Sequence, residues 1–374
     1  MSYQALYTHD LFKISDRIVL FCNQSSYDFN QRKYLFDVLI DAHKLESILL
    51  PEHGLFSEFQ DQDNVISSKY RNVTCHSMYS KADNITGPNT RMINNADLLI
   101  IDIYDVGVRY FTYTTHMFIL LKFVSSFYPD LQVVVIDRPN PLGRKIEGTI
   151  LDSFYVSFLG PEGMIHRHGL STGELCEWYM KKEKINLRFI KIPYNSDKYK
   201  QFFISPSPNL PSLTSLGIYP GQCFWEATTF SEGRGTSRPF ELFGHPELSF
   251  KAAENIGIKF NFKYKEKAFL RTTSFIPTFH KHIGKVCFGW QLFIGNPEAY
   301  HSLAGTLYIM RQARECLDNA SFWREGSYEF DSQASAAQLL LGDNDLISYV
   351  DGDLNEETIL NKMNQAQLGW SNSL

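Results

Sequence analysis

Apolar runs that stop abruptly in polar residues dominate the first half of the chain. Arg17 to Gln24 reads as a strand, apolar from Ile18 to Cys22 and closed by Asn23-Gln24. Ser25-Ser26 opens a loop, and Phe29 to Leu45 carries helical apolar spacing at Tyr34, Leu35, Val38, Leu39 and Ala42. Ser47-Ile48-Leu49-Leu50 is a short buried strand that stops at Pro51, which has no donor for a sheet ladder. Glu52 and His53 follow at once, then Gly54. Leu55 to Lys69 is polar and poorly periodic, a loop, and Val73 to Met78 a short strand. Asn89 caps a short helix to about Asn95. Asp97 to Asp105 is the clearest strand, with Leu98-Leu99-Ile100-Ile101 suited to a sheet covered on both faces. Arg109 to Phe127 reads as a long buried helix, and Gln132 to Ile136 as a strand ending in Asp137-Arg138-Pro139-Asn140-Pro141. Ser171 and Glu174 have capping-box spacing at the head of a helix to about Lys184, and Leu187 to Ile192 is another strand.

Strands alternating with helices to about residue 193 predict an α/β fold: a Rossmann-like, doubly wound, mostly parallel sheet. The second half changes character. Ser205 to Pro211 is a Pro-rich linker or rigid turn, Tyr219-Pro220-Gly221 and Ser231 to Thr236 are loops, Val286 to Ile294 is a strand and Ala299 to Cys316 a helix. The tail from Asp331 is helical with polar breaks. The expected organisation is a catalytic domain over residues 1–200 and a smaller auxiliary α/β domain over residues 201–374.

Length and composition narrow the class of partner. A chain of 374 residues with 44% hydrophobic and 21% charged residues suits a globular protein with a sizeable core. Its formal net charge of -5, without a long basic tract, argues against nucleic acid or an anionic membrane as partner. No apolar stretch is long enough to span a bilayer, so no membrane insertion is expected. The six cysteines, Cys22, Cys75, Cys176, Cys223, Cys287 and Cys316, are scattered without a CxxC pair, which reads as reduced, mostly buried thiols. With no basic segment leading into an apolar one at the N-terminus, the chain is expected in the cytoplasm. Phosphate-binding glycine loops are missing after the first strand, where Asn23-Gln24-Ser25-Ser26 stands, so no nucleotide cofactor is expected. No metal is expected either, because His166 and His168 have no third ligand that can be placed.

In an open α/β sheet, ligands bind at the carboxyl ends of the strands. Glu52, His53, Asp102, Asp105, Asp137 and Arg138 all fall there, with Glu147 and Glu226 as further carboxylates. Glycoside hydrolysis needs an acid to protonate the leaving oxygen and, as a rule, a second carboxylate. Glu52, behind Pro51 and beside His53, could serve as that acid. Each residue has a plainer alternative. Asp102 and Asp105 can cap the following helix, Asp137-Arg138 can be a structural ion pair, and Glu232 with Arg234 can belong to a solvated hairpin. Phe111, Tyr113, Phe118 and Phe123 are more readily core than a sugar platform.

Taken in order, the segments Leu50-Pro51-Glu52-His53-Gly54-Leu55, Asp102 to Tyr110, Asp137 to Gly143, Glu147-Gly148, Arg167 to Leu175, Pro206 to Pro211, Tyr219-Pro220-Gly221 and Ser231 to Glu241 resemble the bacterial exo-β-N-acetylmuramidases, glycoside hydrolases of peptidoglycan recycling. The resemblance covers nearly the whole chain. It implies a Rossmann-like N-terminal domain, a smaller auxiliary domain and an active site in the cleft between them. It also implies release of N-acetylmuramic acid from the non-reducing ends of peptidoglycan fragments, with a muropeptide or a MurNAc-containing disaccharide as the ligand. The family's catalytic Glu in the Pro-Glu-His-Gly motif carries over to Glu52. Asp102, Asp105 and Glu232 are then candidates for the second carboxylate. His53, Arg109, Tyr110, Asp137, Arg138, Asn140, His168, Asn209 and Arg234 are candidates for holding substrate, with Arg234 or Arg109 against the lactyl carboxylate. Phe56 to Asp63 departs from the Gly- and Ala-rich acidic stretch of many relatives. A non-catalytic muropeptide-binding protein is the alternative reading from another class, and a nucleotide-dependent sugar enzyme a third.

Overall fold

The protein was analysed as a computed structural model that describes residues 3–60, 63–80, 87–195, 202–317 and 321–374. The chain forms two compact units. The first comprises residues 1–107, 111–144 and 169–208, and the second residues 108–110, 145–168 and 209–374.

The first unit is built on a seven-stranded sheet. Its strands are β1 (Ile18–Cys22), β2 (Leu45–Leu50), β3 (Ser68–Tyr70), β4 (Val73–Ser77), β5 (Leu98–Asp102), β6 (Gln132–Asp137) and an edge strand, Arg188–Pro193. Across the sheet they run edge strand, β6, β5, β1, β2, β4, β3. Every pairing is parallel except β3 with β4. The residues of β1 and β5 are all buried, as unbroken apolar runs require when both faces are covered. The chain leaves β1 toward β2 on one side and returns to β5 on the other. Order therefore reverses between β1 and β5, and the ends of β1, β2, β5 and β6 gather around that switch point, where such sheets bind ligands.

The longer helices of this unit are α1 (Leu35–Asp41), α2 (Thr112–Phe127) and α3 (Thr172–Glu183); α1 packs on β2, α3 on β6, and α2 on α3. The capping box expected at Ser171 and Glu174 is present, and Asn89 accepts the Arg91 N–H at the head of a short helix, Thr90–Ile93. Two helices are shorter than their apolar spacing predicts. Tyr27–Asp28 and Lys33–Tyr34 before α1 pair as a small two-stranded hairpin instead. Arg109 and Tyr110, expected in α2, lie with the second unit, where Val108 bridges to Arg167.

The second unit holds a hairpin of β7 (Glu147–Ile150) and β8 (Ile165–Arg167) and an antiparallel sheet of β9 (Leu242–His245), β10 (Ala268–Phe275) and β11 (Cys287–Ile294), with β11 central. Its helices are α4 (Leu213–Gln222), α5 (Phe250–Lys263), α6 (Ser302–Arg314), α7 (Ala336–Leu341), α8 (Asn344–Asp351) and α9 (Glu356–Ser373). Tyr219-Pro220-Gly221, expected as a loop, is helical. A Ser212–Ser215 capping box starts α4 eight residues before Pro220, so the proline falls near its end, and the chain tightens into a 3-10 turn at Cys223–Ala227. Among the described residues no helix is long and apolar enough to cross a membrane.

Candidate active site

Glu52 follows the end of β2 directly and is only 3% exposed. Its Oε2 accepts the Thr112 hydroxyl at 2.5 Å, from the first residue of α2. His53 takes a left-handed backbone with φ 70°, uncommon for a residue other than glycine, and Gly54 continues it at φ 82°. That reversal needs fasteners. The His53 Nδ1–H donates to the Phe59 carbonyl at 2.9 Å, which fixes the tautomer and leaves Nε2 to accept the Ser207 hydroxyl at 3.2 Å. The Pro206 carbonyl next door accepts from Asn23 Nδ2, Ser57 Oγ and Tyr113 Oη at 3.0, 2.9 and 2.6 Å. The Pro-rich segment is thus tied to the ends of β1 and β2 and to α2, where the sequence alone allowed a linker.

At the end of β5 two carboxylates have different surroundings. Asp102 is fully buried and accepts from Arg138 Nε at 2.7 Å and Tyr3 Oη at 2.5 Å. Arg138 also reaches Tyr3 Oη and the Ser25 carbonyl, and its guanidinium lies 4.1 Å from the centre of the Tyr194 ring. Burial alone would lower the Arg138 pKa, but the adjacent Asp102 and tyrosines raise it well above normal. Burial likewise drives the Tyr3 phenol far up, against the pull of Arg138. Asp102 and Arg138, expected as a catalytic and a substrate-binding residue, form a buried ion pair with each other. Asp105 differs: its Oδ2 accepts the Gly107 N–H at 2.8 Å and its Oδ1 the Thr114 hydroxyl at 2.7 Å. Asp137 accepts the Gly173 N–H at the head of α3 at 2.9 Å, and Asn140 bridges the Leu170 carbonyl and the Leu142 N–H.

The other expected site residues belong to the second unit. Arg109 is 0% exposed, and its Nη atoms donate to the carbonyls of Leu159, Leu339 and Leu340 at 3.0, 3.2 and 2.6 Å. The last two are end carbonyls of α7, so Arg109 caps a helix, and burial lowers its pKa to about 10. Tyr110 donates to the Pro220 carbonyl, His168 is buried with its carbonyl accepting Trp370 Nε1–H at 3.0 Å, and Asn209 is also buried.

Glu232 and Arg234 form a buried network rather than a solvated hairpin. Arg234 donates to Glu232 at 3.1 Å and to Glu226 at 3.0 Å, while Lys281 and His280 pair with Glu232 at 2.9 and 3.0 Å. Burial would raise the Glu232 pKa, but Lys281, His280 and Arg234 outweigh it and hold the carboxyl well below its usual range. A group so held cannot donate a proton near neutral pH, and Arg234 has its fork engaged by protein carboxylates. Sequence reading missed Tyr3, Ser207, His280, Lys281 and the threonines of α2. Only the threonines left a trace, as Thr112, Thr114 and Thr115 at the start of an otherwise apolar helix. Among the described residues, no group of three or more His, Cys, Asp or Glu is arranged to hold a metal ion.

Two family models span nearly the whole chain: exo-β-N-acetylmuramidase NamZ, N-terminal, over residues 18–214, and exo-β-N-acetylmuramidase NamZ, C-terminal, over residues 217–373. The chain belongs to the exo-β-N-acetylmuramidase NamZ family. It is 32% identical over 297 residues to the peptidoglycan β-N-acetylmuramidase NamZ of Bacillus subtilis (strain 168), across 76% of this chain and 70% of that one. Crystal structures of two DUF1343 family proteins from Bacteroides fragilis NCTC 9343 share the fold. One has a TM-score of 0.82 at 21% identity, covering 100% of this chain and 96% of its own. The other has a TM-score of 0.70 at 25% identity, covering 99% and 96%. Membership in the NamZ family makes the chain a peptidoglycan glycoside hydrolase.

Proposed function

We propose that this chain is an exo-acting N-acetylmuramidase that removes N-acetylmuramic acid from the non-reducing ends of peptidoglycan fragments, with Glu52 as the general acid. The observation that carries the assignment of Glu52 is its placement. It is a buried carboxyl at a strand end beside the topological switch point, on a loop anchored through His53, and its Oε2 accepts the Thr112 hydroxyl. In the reaction Glu52 gives its proton to the glycosidic oxygen as the bond to the anomeric carbon breaks. Water supplies hydroxide to that carbon, and its remaining proton restores the acid. Asp105 is the second carboxylate we assign, from its place just beyond the end of β5, where the Gly107 N–H and the Thr114 hydroxyl fix its two oxygens.

The experiment is release of N-acetylmuramic acid from a MurNAc–GlcNAc disaccharide by the natural protein and by Glu52→Gln. The variant keeps the shape of the side chain and removes the proton to be transferred, so turnover is expected to fall by about 100-fold or more. Equal turnover by the two proteins would move the acid to another residue. Binding of the disaccharide without turnover by the natural protein would identify a muropeptide-binding protein instead.

A further inference from the structure

Both carboxylates assigned to the reaction meet the same turn of the same helix. Thr112 Oγ1 donates to Glu52 at 2.5 Å, and two residues along Thr114 Oγ1 donates to Asp105 at 2.7 Å. Both threonines are buried. Threonine at a helix start ordinarily turns its hydroxyl onto its own backbone. In α2 the N-cap is Phe111, which makes no side-chain cap, while these two hydroxyls reach carboxylates on separate strand ends, 60 and 9 residues away in sequence.

We infer that the first turn of α2 is a positioning element for catalysis, with Thr112 orienting Glu52 and Thr114 orienting Asp105. The inference rests on the reading of Glu52 as the acid. A hydroxyl donating to Oε2 fixes that oxygen, so the carboxyl cannot turn freely to exchange its two oxygens. The same bond remains to solvate the carboxylate left behind when the proton has gone. Because both threonines rise from one rigid turn, the spacing of the two carboxylates is set by the helix and not by the mobility of either strand-end loop.

The test is a set of variants assayed on the MurNAc–GlcNAc disaccharide, with thermal unfolding as a check on folding. Thr112→Val keeps the shape and removes the donor. Its kcat is expected to fall by about 10- to 100-fold while KM changes by less than about twofold, the pattern of a misplaced catalytic group. Thr112→Ser restores the hydroxyl and is expected to recover most of the rate. Introduced into Glu52→Gln, Thr112→Val is expected to cause no further loss, and Thr114→Val is expected to lower kcat in the same manner through Asp105. Should Thr112→Val fail to fold, Thr112→Ala against Thr112→Ser gives the same contrast. A kcat for Thr112→Val within twofold of the natural protein, with Glu52→Gln inactive, overturns the inference alone. Equal losses in the Val and Ser variants, or a further loss in the Glu52→Gln background, also overturn it. Full turnover by Glu52→Gln overturns the assignment of Glu52 and the inference together.

Discussion

Arg138 carries the charge balance beneath the ends of the central strands. With its partner Asp102 fully buried, removing the guanidinium leaves a carboxylate with neither water nor a counterion. Arg138→Met is therefore expected to cost about 3–5 kcal/mol of stability, measured by urea unfolding. The double variant Arg138→Met with Asp102→Asn should recover a good part of that loss, because the orphaned charge has gone. A single-variant loss below about 1 kcal/mol would mean that the pair behaves like an exposed one. The Asp-Arg pairing is among the plain readings open to the sequence, but with Asp137, the residue just before Arg138. The partner is instead Asp102, 36 residues earlier on β5. Neighbourhood in sequence names the residue types at a strand end, while which of them pair is decided by strands that become neighbours only in the folded sheet.

At the scale of elements, α4 offers a matched pair of glycines. Gly217 has open space around the position a Cβ would take, whereas at Gly221 that atom would lie 2.3 Å from the Ser302 carbonyl and 2.4 Å from Thr306 Oγ1 on α6. A backbone carbonyl cannot swing aside. Gly217→Ala is expected to stabilise by about 0.5–1 kcal/mol through helix propensity, and Gly221→Ala to destabilise by about 1–3 kcal/mol through overpacking. Thermal melts of the two variants check the opposite signs, and a stabilising Gly221→Ala would refute the close approach. Tyr219-Pro220-Gly221 resists reading from sequence for this reason, since Pro and Gly side by side are among the strongest turn signals. Here the proline falls near the end of a helix and the glycine is where two helices touch. The parallel strands were far more legible. Leu98 to Ile101 could hardly be anything else, and the Glu52 that follows β2 was singled out from its Pro and Gly neighbours before any contact was known. The hydroxyls that hold it were not, because an apolar helix with three threonines gives no hint of which carboxylates it will meet.

For the whole molecule, buried histidines set the response to acid. Burial lowers the His116 pKa from the usual 6.5 to about 4, and its ring donates to the Met78 carbonyl at 3.1 Å. His166 is driven well below its usual value as well, first by burial and then by Arg109. Above pH 6.5 these rings are neutral whether the chain is folded or not. Between pH 6.5 and 4 the unfolded chain takes up protons that the folded His116 refuses, so stability falls as the pH falls. His116 alone accounts for about 3 kcal/mol across that window, at about 1.4 kcal/mol per unit. Urea unfolding at pH 7, 6, 5 and 4 should show the decline, and His116→Gln should make it shallower. A stability independent of pH across this range would contradict a neutral buried imidazole. Glu232 adds a further loss that begins below its usual 4.5, as the unfolded chain takes up the proton, and is complete at the depressed value at which the folded carboxyl protonates.

The route of the chain bears on how such a protein can be taken apart. The two family models meet near residue 215, yet the compact units exchange the backbone five times, and residues 108–110 and 145–168 from the first half complete the second unit. In that unit Glu147 accepts the Ser302 N–H at 3.0 Å, and His166 Nε2 lies 2.8 Å from the Leu341 carbonyl. A fragment cut at the boundary of the family models would carry the β7–β8 hairpin with its carboxylate and imidazole stripped of those partners, and the remainder would lack a piece of its own core. The halves are therefore not interchangeable cassettes. A chimera that keeps both units whole must trade the three early residues and the hairpin together with the C-terminal half, which ties inheritance of the two units to one another.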